Sequence, residues 1–379
     1  MTENEILNYL EAYGLRARNA AAALAVAPAG VKNAALSNAA ELLVRNTERI
    51  LSENQNDVEA AAAKGMSVSM QDRLRLTAAR IEAMAEGLLQ LTAMEDPIGA
   101  ILEGYKRPNG LEIIKKRVPL GVIGIIYEAR PNVTADAAGL CIKSGNACIL
   151  RGGSEALRSN LAIASIFKEA LENAGLPGAC VQLIDNTGRE IASAMMRLNR
   201  YIDVLIPRGG AGLINTVVTT ASVPVIQTGT GNCHIYADCD ADPEMARKII
   251  VNAKTQRPSV CNAAETLLVH RGIAETFLPA AAQSLTEKGV ELRCCEEAYR
   301  ILARSGVPEN RNLLKHAEES DWETEYNDLI LAVKVVGDCA EAVAHINTYG
   351  TGHSEAIVTE NYETVSYTHL RAHETEADL

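Results

Sequence analysis

One cysteine stands in a setting that would make its thiol reactive. Cys261 lies in the stretch NAKTQRPSVCNAA, with Lys254 and Arg257 a few positions before it. Cationic neighbours favour the thiolate, which is the nucleophilic form of cysteine. The Pro-Ser pair before it predicts a turn between a helix and a strand. The sequence therefore indicates Cys261 as a nucleophile, against the alternative of a buried and inert thiol, which is common for free cysteines.

Composition limits the class of protein. The 379 residues carry 36 Lys and Arg against 48 Asp and Glu, a net charge of −12, which disfavours sequence-independent binding to nucleic acid or to an anionic membrane. The 9 cysteines lack CxxC spacing and indicate thiols in a reducing cytosol, and the 7 histidines form no motif with metal-ligand spacing. No apolar run approaches the ~20 residues that cross a bilayer. We therefore expect a cytoplasmic protein of two domains or so, without a metal.

The order of the predicted elements favours an α/β fold. Residues 1–105 have helical periodicity, and from Leu111 onward the runs LEIIKKRV and GVIGIIYEA are typical of strands buried on both faces. Strands and helices then alternate as far as the strand SEAIVTE, which predicts doubly wound parallel sheets. We place a cofactor-binding domain with its helical lead-in at residues 1–232, and a catalytic domain carrying Cys261 at residues 233–361.

Two strand exits share an arginine followed by a pair of glycines. Arg151 ends one strand in ILRGGSEA, and Arg208, Gly209 and Gly210 end another in LIPRGGAGLI. Glycines let the backbone approach a phosphate at a helix N-terminus, and an arginine matches the phosphate charge. Two such exits in one sheet favour a ligand with several phosphates, such as a dinucleotide. Two ordinary strand–helix turns are the alternative.

A third strand exit carries the polar segment EARPNVT. Asn132 could donate its amide to an oxyanion, and Glu128 or Arg130 could position a polar substrate. A helix-entry turn capped by Thr134 is the alternative interpretation. The segment alone leaves the choice open.

At these positions the sequence resembles the aldehyde dehydrogenase superfamily, and much more closely its gamma-glutamyl phosphate reductase branch of proline biosynthesis. The resembling segments run in order from about Arg117 to Thr359. They include ILRGGSEA, LIPRGGAGLI, VPVIQTGTGNCHIY, NAKTQRPSVCNAAETLLVH and HINTYGTGHSEAIVT. The resemblance implies an aldehyde-dehydrogenase-like fold with two doubly wound parallel-sheet domains. It also implies a homo-oligomer, with the upstream glutamate kinase as a further partner.

Carried over position by position, the resemblance implies roles for single residues. Cys261 would attack the acyl carbon, and Asn132 together with the Cys261 backbone NH would stabilise the oxyanion. Arg151 would lie at the adenosine ribose, where its charge suits the 2′-phosphate of NADP, with NAD still open. The cofactor-binding residues implied are Arg151, Arg208, Gly209, Gly210 and Glu325. The residues that grip the substrate stay open among the charged candidates Glu128, Arg130, Lys254 and Arg257.

One departure from the superfamily indicates the reaction. Hydrolytic members carry a glutamate that activates water, and the matching position here is Gln227, whose amide cannot act as that base. A thioester at Cys261 would then be resolved by phosphate instead of water. The resemblance therefore implies NADPH-dependent reduction of gamma-glutamyl phosphate to glutamate 5-semialdehyde and phosphate.

A second departure concerns the C-terminus. The family continues past HSEAIVT with a helix, a strand and a glycine-rich segment, whereas residues 362–379 leave this pattern. We predict a disordered tail there, an unpaired sheet edge before it, and weak folding or association. Two alternative functions stay open: a hydrolytic aldehyde dehydrogenase acting on another small aldehyde, and a catalytically silent nucleotide-binding protein.

Overall fold

The chain folds into two compact units, Met1–Thr228 and Gly229–Leu379, and each is built around its own parallel sheet. The structure is a computed structural model and describes residues 1–128, 130–227, 230–307 and 310–371. None of the helices in these ranges combines the length and the apolar surface that a membrane span needs. All nine cysteines are free thiols.

Helices precede and cover the sheet of the first unit. The helices are α1 (Glu3–Ala25), α2 (Ala29–Arg45), α3 (Thr47–Ala63), α4 (Val68–Leu74), α5 (Ala78–Ala93), α6 (Asn132–Lys143), α7 (Leu157–Asn173), α8 (Arg189–Met195) and α9 (Ala211–Thr220). The strands are β1 (Ile101–Lys106), β2 (Glu112–Lys116), β3 (Val122–Tyr127), β4 (Ala147–Arg151), β5 (Val181–Leu183) and β6 (Val204–Arg208). Hydroxyl caps start three of the helices, because Thr2, Ser67 and Thr77 accept hydrogen bonds from the first turns of α1, α4 and α5.

Four parallel strands form the first sheet in the order β5-β4-β3-β6. Side chains of β3 alternate between two cores: Ile123 and Ile125 pack with α2, α5, α6 and α7, and Val122 and Ile126 pack with α1 and α8. Both faces are therefore covered, and every residue of β3 is buried. The strand order reverses between β3 and β6. The carboxyl ends of these two strands thus form the kind of crevice in which open α/β sheets bind ligands.

One predicted strand lies in a different environment from the one expected. LEIIKKRV contains β2, but β2 pairs with β1 in an antiparallel hairpin and is largely exposed. The hairpin turn includes Gly110 at φ +87°, a left-handed conformation that favours glycine. The expectations of a doubly buried strand here, and of helix throughout residues 1–105, were wrong. Charged residues flank the two isoleucines of β2, so the segment has too little apolar surface to bury both faces.

The second unit repeats the layered arrangement. Its helices are α10 (Pro243–Thr255), α11 (Arg271–Thr286), α12 (Glu296–Ser305), α13 (Cys339–Tyr349) and α14 (Tyr362–Arg371). Its strands are β7 (Cys233–Ala237), β8 (Ala264–His270), β9 (Glu291–Cys294), β10 (Leu314–His316), β11 (Ile330–Val336) and β12 (Glu355–Val358). The strands pair in parallel in the order β10-β9-β11-β8-β7-β12. Ile235 and Ala237 of β7 pack with α10, α11 and α12, whereas Tyr236 packs with α13 on the other face.

The segment expected to be a disordered tail begins with a helix. The Asn361 side chain accepts hydrogen bonds from the backbone NH of Glu363, at 3.0 Å, and of Thr364, at 3.3 Å. This asparagine cap starts α14, so the structure corrects the expectation for residues 362–371. Residues 372–379 lie outside the described residues. Within the described part of the sheet, β12 pairs with β7 alone and forms an edge.

Candidate active site

Cys261 lies in an exposed turn between α10 and β8. The turn is held by two short-range backbone hydrogen bonds, from Val260 N to Arg257 O at 3.2 Å and from Ala263 N to Val260 O at 3.1 Å. The Pro-Ser pair predicts this break between helix and strand. The thiol is therefore presented to solvent on a short, well-defined loop, where a small substrate can reach it.

The loop that precedes β7 lies directly against the backbone of Cys261. Gly231 packs so closely that a Cβ atom there would lie 1.7 Å from the Cys261 carbonyl oxygen. The same carbonyl accepts a hydrogen bond from the Cys233 thiol, with 3.3 Å between sulfur and oxygen. The Gly231 NH in turn donates to the Glu325 carboxylate at 3.1 Å. A glycine is needed at this position, because any side chain would push the two loops apart.

Site residues of the second unit gather at the amino ends of its strands. Asn232 is completely buried and its amide donates to the carbonyl oxygens of Trp322 and Tyr349, at 2.8 Å each. His353 Nδ1 lies 3.7 Å from Cys233 Sγ and 2.9 Å from Ser354 Oγ. The segments that enter four strands carry these residues: Gly231 and Asn232 before β7, Cys261 before β8, Glu325 before β11 and His353 before β12. Glu325, expected to bind the cofactor, is thus brought to the loop that supports Cys261.

Lys254, a candidate for gripping substrate, lies in the interior. Its Nζ is 2.6 Å from Glu265 Oε2, and the exposed fractions of the two side chains are 0% and 1%. Burial lowers the pKa of Lys254 and raises the pKa of Glu265 to about 7, and their mutual attraction opposes both shifts. The second Glu265 oxygen accepts from Asn327 N at 3.2 Å. Arg257, in contrast, is exposed in the Cys261 turn.

The first unit brings several candidates together at the crevice between β3 and β6. The backbone NH of Glu128 donates to Arg208 O at 3.2 Å, and the Glu128 carboxylate accepts from Gly210 N at 3.0 Å. Gly210 is the N-cap residue of α9. Arg208 itself is exposed. Glu128 thus supports the Arg-Gly-Gly turn, because its carboxylate accepts a hydrogen bond from the backbone NH at the start of α9.

Arg151 ends β4 beside the same central strand. Its Nη2 donates to the Thr187 carbonyl oxygen at 2.6 Å, whereas its buried Nε has no hydrogen-bond partner within the described chain. Buried polar atoms are nearly always paired, so an unpaired guanidinium NH indicates a place for an acceptor that is not part of the chain. Both Arg-Gly-Gly exits belong to the same sheet, on either side of β3.

Asn132 begins α6, and Arg130 is half-buried two residues before it. The Asn132 amide donates to Asp136 Oδ2 at 3.0 Å. Burial raises the pKa of Asp136, against the opposite effects of the Asn132 amide and the Arg208 charge. Asn132 therefore has an amide donor oriented by a carboxylate one helical turn away. Gln227 is exposed at the end of the described part of the first unit.

The residues that sequence reasoning missed are Gly231, Cys233, Glu265 and His353. Three of them lie far from Cys261 in sequence, and the sheet brings them near, since β7 pairs with both β8 and β12. Glu265 offered a signal, because a carboxylate inside the apolar run ETLLVH requires a counter-charge once that strand is buried. The glycines of QTGTGN, which include Gly231, offered only a weak signal.

Comparison with known proteins places the chain in a family. Residues 10–293 match the model described as aldehyde dehydrogenase family. The chain is 56% identical over 350 residues to the gamma-glutamyl phosphate reductase of Clostridium beijerinckii, covering 92% of this chain and 82% of the relative. It is 55% identical to the gamma-glutamyl phosphate reductase of Heliobacterium modesticaldum, covering 94% and 84%.

A solved structure agrees with the sequence matches. The crystal structure of the gamma-glutamyl phosphate reductase from Thermotoga maritima superposes with a TM-score of 0.87 at 45% identity, covering 96% of this chain and 85% of that one. The predicted fold class, aldehyde-dehydrogenase-like α/β with parallel sheets, is confirmed. The chain therefore belongs to the aldehyde dehydrogenase family, and within it to the gamma-glutamyl phosphate reductases.

Proposed function

We propose that this protein reduces gamma-glutamyl phosphate to glutamate 5-semialdehyde and phosphate with NADPH, a step of proline biosynthesis. The observation that carries the proposal is the exposed Cys261 thiol on its supported turn, in a chain whose relatives are named for this reaction. Enzymes of the aldehyde dehydrogenase family use nicotinamide cofactors. Cys261 is the nucleophile of the proposed reaction.

We assign the dinucleotide to the first unit. Arg208, Gly209 and Gly210 would hold the pyrophosphate at the start of α9, where Gly210 N has an acceptor in Glu128 that a phosphate can replace. Arg151, with its unpaired Nε, would hold the adenosine 2′-phosphate, which is why we favour NADP over NAD. Glu325 would hold the nicotinamide ribose. The bound cofactor supplies a hydride to the acyl carbon.

The chain's own residues perform the acyl transfer. The Cys261 thiolate attacks the acyl carbon, the C–S bond forms, and phosphate leaves. The Asn132 amide and the Cys261 backbone NH would donate to the oxyanion that forms at the acyl oxygen. After reduction, cleavage of the C–S bond releases the aldehyde and restores the thiolate. Gln227 cannot take a proton from water, so the thioester is protected from hydrolysis.

The four charged candidates for substrate binding lie in different surroundings, and we assign them different roles. Arg257 is exposed in the Cys261 turn, and we assign it to the α-carboxylate of the substrate, with half-buried Arg130 as the second candidate. Lys254 is fully buried and paired with Glu265, so we assign it a positioning role beneath the turn. Glu128 supports the Arg-Gly-Gly turn through Gly210 and belongs with the cofactor residues.

The test is the initial rate of NADP+ reduction with glutamate 5-semialdehyde, with and without inorganic phosphate. We expect phosphate-dependent turnover that is lost in Cys261→Ala and kept in Cys239→Ala, since Cys239 is an exposed cysteine on a different loop. Phosphate-dependent turnover in Cys261→Ala would refute the thioester route. Turnover without phosphate would favour the hydrolytic alternative, and cofactor binding without acylation of Cys261 would favour a silent nucleotide-binding protein.

We further propose that the protein is a homo-oligomer in the cytoplasm. The β1-β2 hairpin exposes Ile101, Tyr105 and Ile114, an apolar surface of the kind that pairs with another copy. Nine free thiols suit a reducing compartment. Light scattering should give a multiple of the chain mass, and Ile114→Asp should shift it toward the monomer. Contact with the glutamate kinase stays a prediction, which a co-purification experiment would test.

A further inference from the structure

A second thiol lies beside the proposed nucleophile. Cys233 Sγ is 3.3 Å from the carbonyl oxygen of Cys261, at the start of β7. The two residues belong to the same unit, and the close approach of Gly231 holds their loops together. The proposed acyl transfer uses Cys261 but has no role for the Cys233 thiol.

The two thiols differ in exposure. Cys261 is exposed, so a dissolved oxidant can reach it, whereas Cys233 is 3% exposed and is shielded from solvent. Burial raises the pKa of Cys233 to about 12, and this thiol is therefore protonated at neutral pH. An exposed thiol with a second thiol beside it is the arrangement in which the first is oxidised and the second can resolve it.

The surroundings of Cys233 supply what the resolving step needs. His353 Nδ1 lies 3.7 Å from Cys233 Sγ and can accept a hydrogen bond from the thiol. Cys261 sits in an irregular turn outside α10 and β8, so its side chain can rotate toward Cys233 without breaking a helix or a strand. The Cys233 sulfur already contacts the Cys261 backbone, at 3.3 Å from its carbonyl oxygen, and a disulfide requires the two Cα atoms to lie within about 7 Å.

We propose that Cys261 and Cys233 form a reversible disulfide when the enzyme meets a peroxide, with Cys261 as the oxidised thiol and Cys233 as the resolving thiol. The proposal rests on the proposed function in one respect, namely the role of Cys261 as the nucleophile. Its consequence is a modification site that stops turnover while it protects the nucleophile from irreversible oxidation.

The chemistry balances with a peroxide as the only added reactant. The Cys261 thiolate attacks a peroxide oxygen, the O–O bond breaks, and a sulfenic acid forms as hydroxide leaves and is protonated to water. Cys233 then attacks the Cys261 sulfur, and its thiol proton leaves as the S–S bond forms. The S–O bond breaks, and the departing hydroxide takes that proton as water. Two thiols are oxidised by two electrons in total, and hydrogen peroxide is reduced to two waters.

The test treats the full chain with hydrogen peroxide, blocks the remaining thiols by alkylation and maps the peptides by mass spectrometry. Activity is measured before and after treatment with dithiothreitol. We expect a peptide pair joined through Cys233 and Cys261, with activity lost on oxidation and regained on reduction. In Cys233→Ser, whose hydroxyl can still donate to the Cys261 carbonyl, the loss on oxidation is measured against the untreated activity of that same variant. Peroxide should then drive its Cys261 to sulfinic acid, a loss that dithiothreitol does not reverse.

Cys239→Ser is the matched control, because it removes an exposed thiol outside the pair and should leave the disulfide unchanged. The proposal is overturned if the parent protein accumulates sulfinic acid at Cys261 as fast as Cys233→Ser does, or if Cys261 joins a different cysteine. Peptide mapping by mass spectrometry detects the disulfide independently of enzymatic activity. A Cys233–Cys261 peptide pair in a protein whose Cys261→Ala variant keeps its activity would refute the proposed function while it supports this inference.

Discussion

The Lys254 ammonium group lies 2.6 Å from the Glu265 carboxylate, and this buried pair joins the last turn of α10 to the second residue of β8. Cys261 lies between the two partners in sequence. The pair therefore closes the base of the loop that carries the proposed nucleophile. Its contribution is best measured by removing one charge at a time, since a buried charge without a partner is far more costly than an intact pair.

Lys254→Met should lower the free energy of unfolding by about 3–5 kcal/mol, because it leaves the Glu265 carboxylate buried without its counter-ion. The double variant Lys254→Met, Glu265→Leu should recover most of that loss. Urea denaturation measures both. Lys248→Met is the control, since Lys248 forms an exposed pair with Glu244 at 3.5 Å and should cost less than about 1 kcal/mol. Equal losses for the two lysines would contradict the structural role of the buried pair.

Gly231→Ala should reduce turnover at least about tenfold and destabilise the protein by about 1–3 kcal/mol, because its Cβ would overlap the Cys261 carbonyl oxygen. Steady-state rates and thermal melting measure the two effects. Gly87→Ala is the matched control: Gly87 lies in the exposed middle of α5 with open space around it, so the change should stabilise the protein by about 0.5–1 kcal/mol. A Gly231→Ala variant with parent rates would show that the loop contact is dispensable.

Arg151→Ala should raise the KM for NADPH by about 10- to 100-fold, the range expected for loss of a charge-assisted contact to a phosphate. The KM for NADH should change little, since NADH lacks the 2′-phosphate. Steady-state kinetics with both cofactors measures the ratio. Arg197→Ala, at an exposed arginine of the same unit, serves as control and should leave both values unchanged. Parallel losses with NADPH and NADH would remove Arg151 from the 2′-phosphate site.

Because of His345, the free energy of unfolding should decrease as the pH falls. Burial, the charge of Lys334 and the nearby His234 lower the pKa of His345 to about 3, and Lys334 Nζ lies 3.1 Å from its Nδ1. The unfolded chain takes up the proton near pH 6.5 and the folded chain does not. The stabilising contribution is therefore complete above pH 6.5. It is lost as the pH falls from about 6.5 toward 3, at up to about 1.4 kcal/mol per pH unit.

Urea denaturation between pH 7.5 and 5 measures this effect, and His345→Gln should show a shallower decline than the parent protein. His316→Gln should keep the parent slope, because the His316 side chain is 56% exposed. Identical slopes for the parent protein and His345→Gln would assign the pH dependence to other groups.

Local patterns predicted where two candidate residues of the first unit lie in the fold. An apolar run followed by Arg-Gly-Gly and a helix is a signal contained in ten residues, and the structure places Arg151 and Arg208 at the ends of β4 and β6 in one sheet. The same local logic failed for β2, since two adjacent isoleucines are common to a buried strand and to an exposed hairpin. Whether a strand is buried on both faces depends on the fold of the whole chain. A short run of residues does not determine it.

The second unit shows what local patterns omit. Lys254 has the sequence features of a surface cation, and only the burial of Glu265 in β8 shows that it lies inside. Gly231, Glu325 and His353 approach Cys261 and Cys233 because β7, β8, β11 and β12 lie side by side. Such neighbours depend on strand order, and the general rule that α/β sheets bind ligands at their carboxyl ends points to the opposite edge.

Four parallel strands of the second unit begin beside the Cys261 turn. This arrangement determines how the unit would respond to a bound ligand. A molecule bound at the Cys261 turn would restrain the starts of β7, β8, β11 and β12 together, although these segments are far apart in the chain. Amide hydrogen exchange should then slow in four separate stretches at once, with Gly231 N, which donates to Glu325, among the most protected. Occupancy of the turn can thus be followed by the protection of distant backbone amides, even with a ligand that never reacts.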